Sequence, residues 1–177
     1  SLDFKKALSC QLWVSANLSL KNNLKFSKLL ILLLKYSLRT IYNSILTTPI
    51  INSPKKGKSN ILIIRNHSRP NIENHVKYYE NIDNTSSCCF KNRKMKIDIF
   101  TFFYCIIFLF KSRKSWLEVF KFYEVNFYSI KGLNVFIYFF NSLSDTIKIL
   151  PSLLSHTKLV SFQDQVTVEN IICQIAN

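Results

Sequence analysis

Two short stretches hold the residues of this chain whose types and spacing could do chemistry. "ILIIRNHSRPN", Ile61 to Asn71, runs through four aliphatic residues and then changes abruptly to Arg65, Asn66, His67, Ser68 and Arg69. "KLVSFQDQVTVENIICQIAN", Lys158 to Asn177, runs from Leu159, Val160 and Phe162 into Asp164 and on to Glu169. A carboxylate or imidazole beside an acceptor hydroxyl can take its proton, and guanidinium groups can steady a departing phosphate. Asp164, His67 and Glu169 are therefore candidates for the first role, Arg65 and Arg69 for the second. Plainer roles stand beside these. Asp164 or Thr167 is placed to cap a helix, Glu169 in a first turn suits the helix dipole, and His67 and Arg69 fit a solvated loop.

Both stretches read as a buried strand ending in a polar loop, at the edge where open α/β sheets bind ligands. After Asp164, Val166, Ile171, Ile172 and Ile175 fall at helical spacing, so the chain closes on a βα unit. Two aliphatic strands in one small α/β unit share a sheet, so Leu159 to Phe162 is expected beside Ile61 to Ile64 and parallel to it. His67, Arg69, Asp164 and Glu169 would then line one cleft, with Ile171, Ile172 and Ile175 packed on the sheet. A terminal βα unit also leads to the expectation that the chain is a piece of a longer protein.

Between the two stretches, Ile72 to Asn84 reads as a helix and "NTSSCCFKNRKMK" as a polar, basic loop. "IDIFTFFYCIIFLF", Ile97 to Phe110, is intensely apolar and bracketed by Arg93, Lys94 and Lys96 and by Lys111, Arg113 and Lys114. It is too short to cross about 30 Å of hydrocarbon and reads as a buried or interfacial helix. A helix is expected around Trp116 to Phe127, and a short one broken near Pro151 leads to the closing strand.

Composition narrows the choices. With 48% hydrophobic and 14% aromatic residues the chain can bury a core. Only Gly57 and Gly132 are present, so neither a dinucleotide fingerprint nor a P-loop exists. Any nucleotide is expected to bind elsewhere, and no cofactor is expected in this chain. Cys10, Cys88, Cys89, Cys105 and Cys173 are odd in number and lack C-x-x-C spacing, so neither a metal site nor a disulfide framework is expected.

The formal charge of +14 is concentrated toward the amino terminus, where residues 1–72 hold 12 Lys or Arg against Asp3 alone. Part of it is compositional, because 19 Lys against 5 Arg, with abundant Asn, Ile and Phe, is what an AT-rich coding sequence produces. Residues 21–46 form a basic amphipathic helix at about 100° per residue. Lys21, Lys25, Lys28, Lys35 and Arg39 fall in one arc, and Phe26, Leu30, Leu33, Leu34, Leu38, Ile41 and Ile45 fill the opposite face. Such a helix either attaches to an anionic membrane surface or packs on a core with its lysines in water. Residues 47–60, with two prolines and a glycine, read as a linker. The expected organisation is a helical segment over 1–46, the linker, and a domain over 59–177.

The closing order of a short helix with proline, the strand "KLVSFQD" and "TVENIICQIAN" resembles a stretch in bacterial surface-polysaccharide glycosyltransferases of the two-Rossmann-domain (GT-B-like) type. There a strand ends at an acidic residue, and a helix carrying Glu-Asn leads on to a strand with a Gln-His-Gly turn. "ILIIRNHSRPN" is similar to the first strand and loop of their amino-terminal domains. The resemblance covers residues 59–177 and rests on these two stretches. It implies an α/β fold, a partial Rossmann-like parallel sheet with flanking helices, preceded here by the helical amino-terminal segment. It also implies transfer of a sugar from a nucleotide sugar to a capsule or lipopolysaccharide acceptor, polysaccharide or lipid-linked, at the inner face of the cell membrane. This half would hold the acceptor and the general base, and a missing second domain the nucleotide sugar, so the chain alone is expected to be inactive. The rival reading is a basic protein without catalysis, bound to a membrane surface or to nucleic acid. Nucleic acid is the less expected partner, because the lysines lie on a helix whose other face is aliphatic.

Overall fold

Leu62, Ile63 and Ile64 are fully shielded from solvent, as aliphatics on both faces of an interior strand must be. They lie in a computed structural model that describes residues 2–17, 26–52, 60–65, 74, 77–79, 85–161 and 167–176. In chain order the elements are α1 (Phe4–Asn17), α2 (Phe26–Ile41) running into a π-helical turn (Tyr42–Leu46), β1 (Thr47–Asn52), β2 (Ile61–Arg65) and β3 (Thr85–Met95). There follow α3 (Ile99–Lys111), α4 (Arg113–Phe122), α5 (Ile130–Ser155), β4 (Lys158–Ser161) and α6 (Thr167–Ala176). The fold is α/β, with a four-stranded sheet flanked by helices and a helix at the amino terminus.

The sheet order is β1-β3-β2-β4. As expected, the closing strand lies beside β2 in parallel, Ile61 opposite Lys158 and Ile64 opposite Ser161. On its other side β2 pairs in parallel with β3, Ile61 opposite Thr85 and Arg65 opposite Cys89. The sheet is nevertheless mixed, because β1 runs antiparallel to β3 along its outer edge. Two stretches read as irregular are therefore strands. The supposed basic loop is β3, the longest strand, and the first part of the supposed linker is β1. Pro49 is tolerated in β1 because an edge strand need not donate on both sides.

The core has two parts that share α5 and α6. Among the helices, Phe4, Leu8 and Leu12 of α1 meet Cys105 and Leu109 of α3, Trp116 and Phe120 of α4, Val135, Phe139 and Leu143 of α5, and Ile171 of α6. Against the sheet, Leu62, Ile64, Cys88 and Phe90 are covered by Ile149 of α5 and by Val168 and Ile172 of α6. Ile175 does not join them and is exposed. The amino terminus is tied across this core, since Gln174 accepts from the Asp3 N–H at 2.6 Å and donates to its carbonyl at 3.2 Å. The expected short helix near Pro151 is instead the last part of one 26-residue helix. Proline removes one hydrogen bond there, and the helix continues while Ile149 and Leu153 pack on the sheet.

Scarcity of glycine shapes two helix ends. α4 stops in a Schellman motif, with Val125 N–H on the Phe120 carbonyl at 3.1 Å and Glu124 N–H on that of Lys121 at 3.0 Å. The left-handed position is held by Glu124, at φ 54°, where glycine would be unstrained. Gly132, in the first turn of α5, is required for another reason. A Cβ there would meet backbone of the preceding loop, 2.7 Å from the Phe127 carbonyl oxygen and 2.8 Å from its Cα. Glu124→Gly is accordingly expected to raise unfolding free energy by about 1 kcal/mol. Gly132→Ala should lower it, although alanine gains about 1 kcal/mol in helix propensity. Urea unfolding followed by circular dichroism checks both signs.

Candidate functional site

The π-helical turn ends with carbonyls that no further helical turn can satisfy, and two cations reach them. Arg93 Nη2 donates to the Asn43 carbonyl at 2.7 Å, and Lys148 Nζ donates to the same oxygen at 2.8 Å and to that of Thr47 at 2.6 Å. Positive charge at a helix carboxyl end is also favoured by its dipole. Arg93 gets there through a break in the sheet. Pro49 pairs with Arg93 but Ile50 with Cys89, so Phe90, Lys91 and Asn92 bulge out of the ladder and Arg93 is re-aimed.

Inside, Arg93 forms a two-pronged pair with Asp145 of α5, at 2.9 Å to Oδ2 and 2.7 Å to Oδ1. Its Nε donates to Thr47 Oγ1 at 2.7 Å and Nη1 to the Phe90 carbonyl at 3.3 Å, so all five N–H groups are engaged. Burial pushes the Asp145 carboxyl above the usual carboxylate range, opposed by the Arg93 hydrogen bonds and charge and by Lys148. Burial likewise lowers the Lys148 ammonium, opposed by Asp145. Asn141, one turn before Asp145, accepts from Ser44 Oγ at 2.9 Å.

Over this pair opens a cavity of about 450 Å³. Its walls are Tyr36 and Arg39 of α2, Asn43 of the π-helical turn, Phe90 and Lys91 of the bulge, and Asn134, Tyr138 and Asn141 of α5. The lining carries one carboxylate, Asp145, against Arg39, Lys91 and Arg93.

The residues singled out by sequence do not form this cavity, Arg39 excepted. Arg65 is buried at the end of β2 rather than displayed to solvent. Glu169 is 1% exposed, so its carboxylate is inside the protein and not on a cleft. His67, Arg69 and Asp164 lie outside the described residues, as do Lys21 and Lys25. Lys28 is in α2, and Lys35 and Arg39 are exposed there. What the fold does bring together is the two strand ends. The chain passes from β2 to β3 on one side and returns through α3, α4 and α5 to β4 on the other, so β2 and β4 flank a topological switch point. Arg65 and Ser161 end these strands at the same edge, and residues 66–73 and 162–166 continue from them.

Burial pushes the Cys88 and Cys105 thiols to about 12, so neither is a thiolate near neutral pH. Among the described residues no group of His, Cys, Asp and Glu could hold a metal ion, and no helix is long and apolar enough to cross a membrane. Comparison with protein-family models, curated proteins and solved structures finds nothing that matches this chain.

The Arg93–Asp145 pair was missed by sequence reasoning, although a signal exists. Asp145 is the one acidic residue between Glu124 and Asp164, set within a run rich in Val, Ile, Leu and Phe. A lone acid on a helix so apolar needs a cation inside. Arg93→Met or Asp145→Leu alone should each cost about 3–5 kcal/mol by leaving the other charge buried without its partner. The double variant is expected to recover much of that loss. Urea unfolding of the four proteins measures the coupling, and strictly additive losses would disprove it.

Proposed function

We propose that this chain works peripherally at an anionic membrane surface, held there by α3. The observation that supports this is the outer face of that helix. Ile99, Phe100, Phe103, Tyr104, Ile107 and Phe110 share one side and all are exposed, Phe100 at 90% and Phe110 at 76%. Thr101, Cys105 and Leu109, on the other side, are buried. A helix on a water-facing surface puts polar groups outward, and this one turns apolar side chains there. Exposed Lys94 and Lys96 precede it and exposed Lys111, Arg113 and Lys114 follow it. A partner that is apolar in the middle and negative at the margins is a bilayer interface with anionic headgroups. Thirteen residues rise only about 20 Å, so the helix lies along the interface. α2 adds exposed Ile31, Leu34 and Leu38 with Lys35 beside them. In the cell the matching surface is the inner face of the membrane, where anionic lipid attracts such cations.

Sedimentation with phosphatidylglycerol vesicles tests this. Replacing Lys94, Lys96, Lys111, Arg113 and Lys114 by Gln should abolish binding, since each contributes about 1 kcal/mol. Phe100→Ser with Phe110→Ser should weaken it at any salt concentration. Unchanged binding in both variants, or a stable dimer in solution that buries α3, would overturn the reading.

A second reading is favoured by the switch point between β2 and β4: the acceptor-side half of a nucleotide-sugar-dependent glycosyltransferase of surface-polysaccharide synthesis. The edge at the carboxyl ends of such paired parallel strands is where α/β folds bind ligands, and in the sequence His67 and Arg69 follow β2 and Asp164 follows β4 within a few residues. Its catalytic base is then Asp164 or His67, since Glu169 is buried. In an enzyme joining this unit to a nucleotide-binding half, Asp164→Asn should lower turnover by about 10²-fold or more. A loss of stability near 1 kcal/mol with turnover intact would make Asp164 a helix cap only.

A further inference from the structure

We infer that the cavity over the Arg93–Asp145 pair is a binding site for a phosphate-bearing sugar. Its floor is electrically closed, because Arg93 has every N–H engaged and both Asp145 oxygens accept from it. The charge offered to a ligand is therefore that of the rim, where Arg39 and Lys91 are both exposed. Neither forms an ion pair among the described residues. Two cations around a neutral floor select an anion.

The rest of the lining says what the anion is attached to. About 450 Å³ falls within the range of small-molecule pockets and leaves most of its space unfilled by phosphate alone. Asn43 and Asn134 offer amides, which can donate to and accept from sugar hydroxyls. Tyr36 and Tyr138, both half-buried, supply aromatic rings for the C–H side of a sugar ring. The site goes beyond the membrane reading and uses different residues. On α2, Tyr36 lies opposite Ile31, Leu34 and Leu38, and Arg39 roughly a quarter turn from them, at about 100° per residue.

Isothermal titration of the full 177-residue chain with glucose 1-phosphate, inorganic phosphate, glucose and AMP is the test. One-site binding of glucose 1-phosphate is expected, weaker binding of phosphate, and none of glucose at the same concentration. Arg39→Gln and Lys91→Gln should each weaken the sugar phosphate about tenfold, the loss of one charge-assisted contact. Tyr36→Ala should weaken glucose 1-phosphate while leaving inorganic phosphate unchanged. Competition by phosphatidic acid vesicles, abolished by Arg39→Gln with Lys91→Gln, would keep the site and assign its phosphate to a lipid headgroup. No binding by the unmodified protein, binding unaffected by the double substitution, or AMP bound more tightly than glucose 1-phosphate would overturn the proposal. Vesicle sedimentation through α3 is a separate readout that these substitutions in the cavity leave in place.

Discussion

Arg93 directs five N–H groups at five acceptors belonging to four segments: the π-helical turn, β1, its own strand β3 and α5. A guanidinium cannot shed its charge, so once inside it must be met on every side or the fold carries the cost. A buried pair of this kind adds little net stability compared with apolar side chains of equal volume. Its consequence lies in register. The turn, the edge strand and α5 must be placed together for all five donors to be met, and the placement found includes the three-residue bulge that separates Cys89 from Arg93 in the ladder. The antiparallel edge of an otherwise parallel sheet follows from the same placement, because β1 leaves directly from the turn that Arg93 and Lys148 hold.

From that point the chain continues without slack. Lys96 N–H donates to the Leu46 carbonyl at 2.9 Å and Asp98 N–H to that of Ile45 at 2.8 Å, extending the contact between β3 and the turn. Asp98 then caps α3, accepting from the Thr101 N–H at 2.9 Å and its hydroxyl at 2.7 Å. Burial would raise the Asp98 carboxyl, but these hydrogen bonds, with Lys148 and Lys96 nearby, hold it below the usual range. The cap is thus strongest with the carboxylate ionised. The start and direction of α3 are inherited from the buried pair.

Much of the sheet's centre was legible in the sequence, because consecutive aliphatics such as Leu62, Ile63 and Ile64 have few other places to go. The parallel pairing of β2 with β4 follows from the same argument. β3 was not legible. Thr85, Ser86 and Ser87 are buried, yet their composition is that of a loop, and the β pattern of alternating polarity is absent from "TSSCCFKNRKM". Small polar residues survive inside when neighbouring strands satisfy the backbone, and here all three pair with β2, Ser87 with β1 as well. The candidate cavity was less legible still. Its residues come from five elements, and the sequence gives no hint that Tyr36, Lys91 and Asn134 meet; only the lone Asp145 announces a buried cation. Glu169 does lie in the first turn of its helix, and is buried there, whereas Arg65 was expected in a loop and lies within the strand.

The exposure of α3 has a cause beyond composition. A helix with one apolar side can hide it by rotating about its axis, provided the other side is polar. α3 has no such option. Rotation that covered Phe100, Phe103 and Phe110 would expose Cys105 and Leu109, and it would break the cap at Asp98. Every orientation of this segment leaves large apolar side chains outside, about 25 cal/mol for each Å² that a partner could cover. The chain cannot remove that surface by refolding locally, and the buried pair fixes which part of it faces outward. The apolar side of α3 is thus held in place between two groups of exposed cations, Lys94 and Lys96 before the helix and Lys111, Arg113 and Lys114 after it.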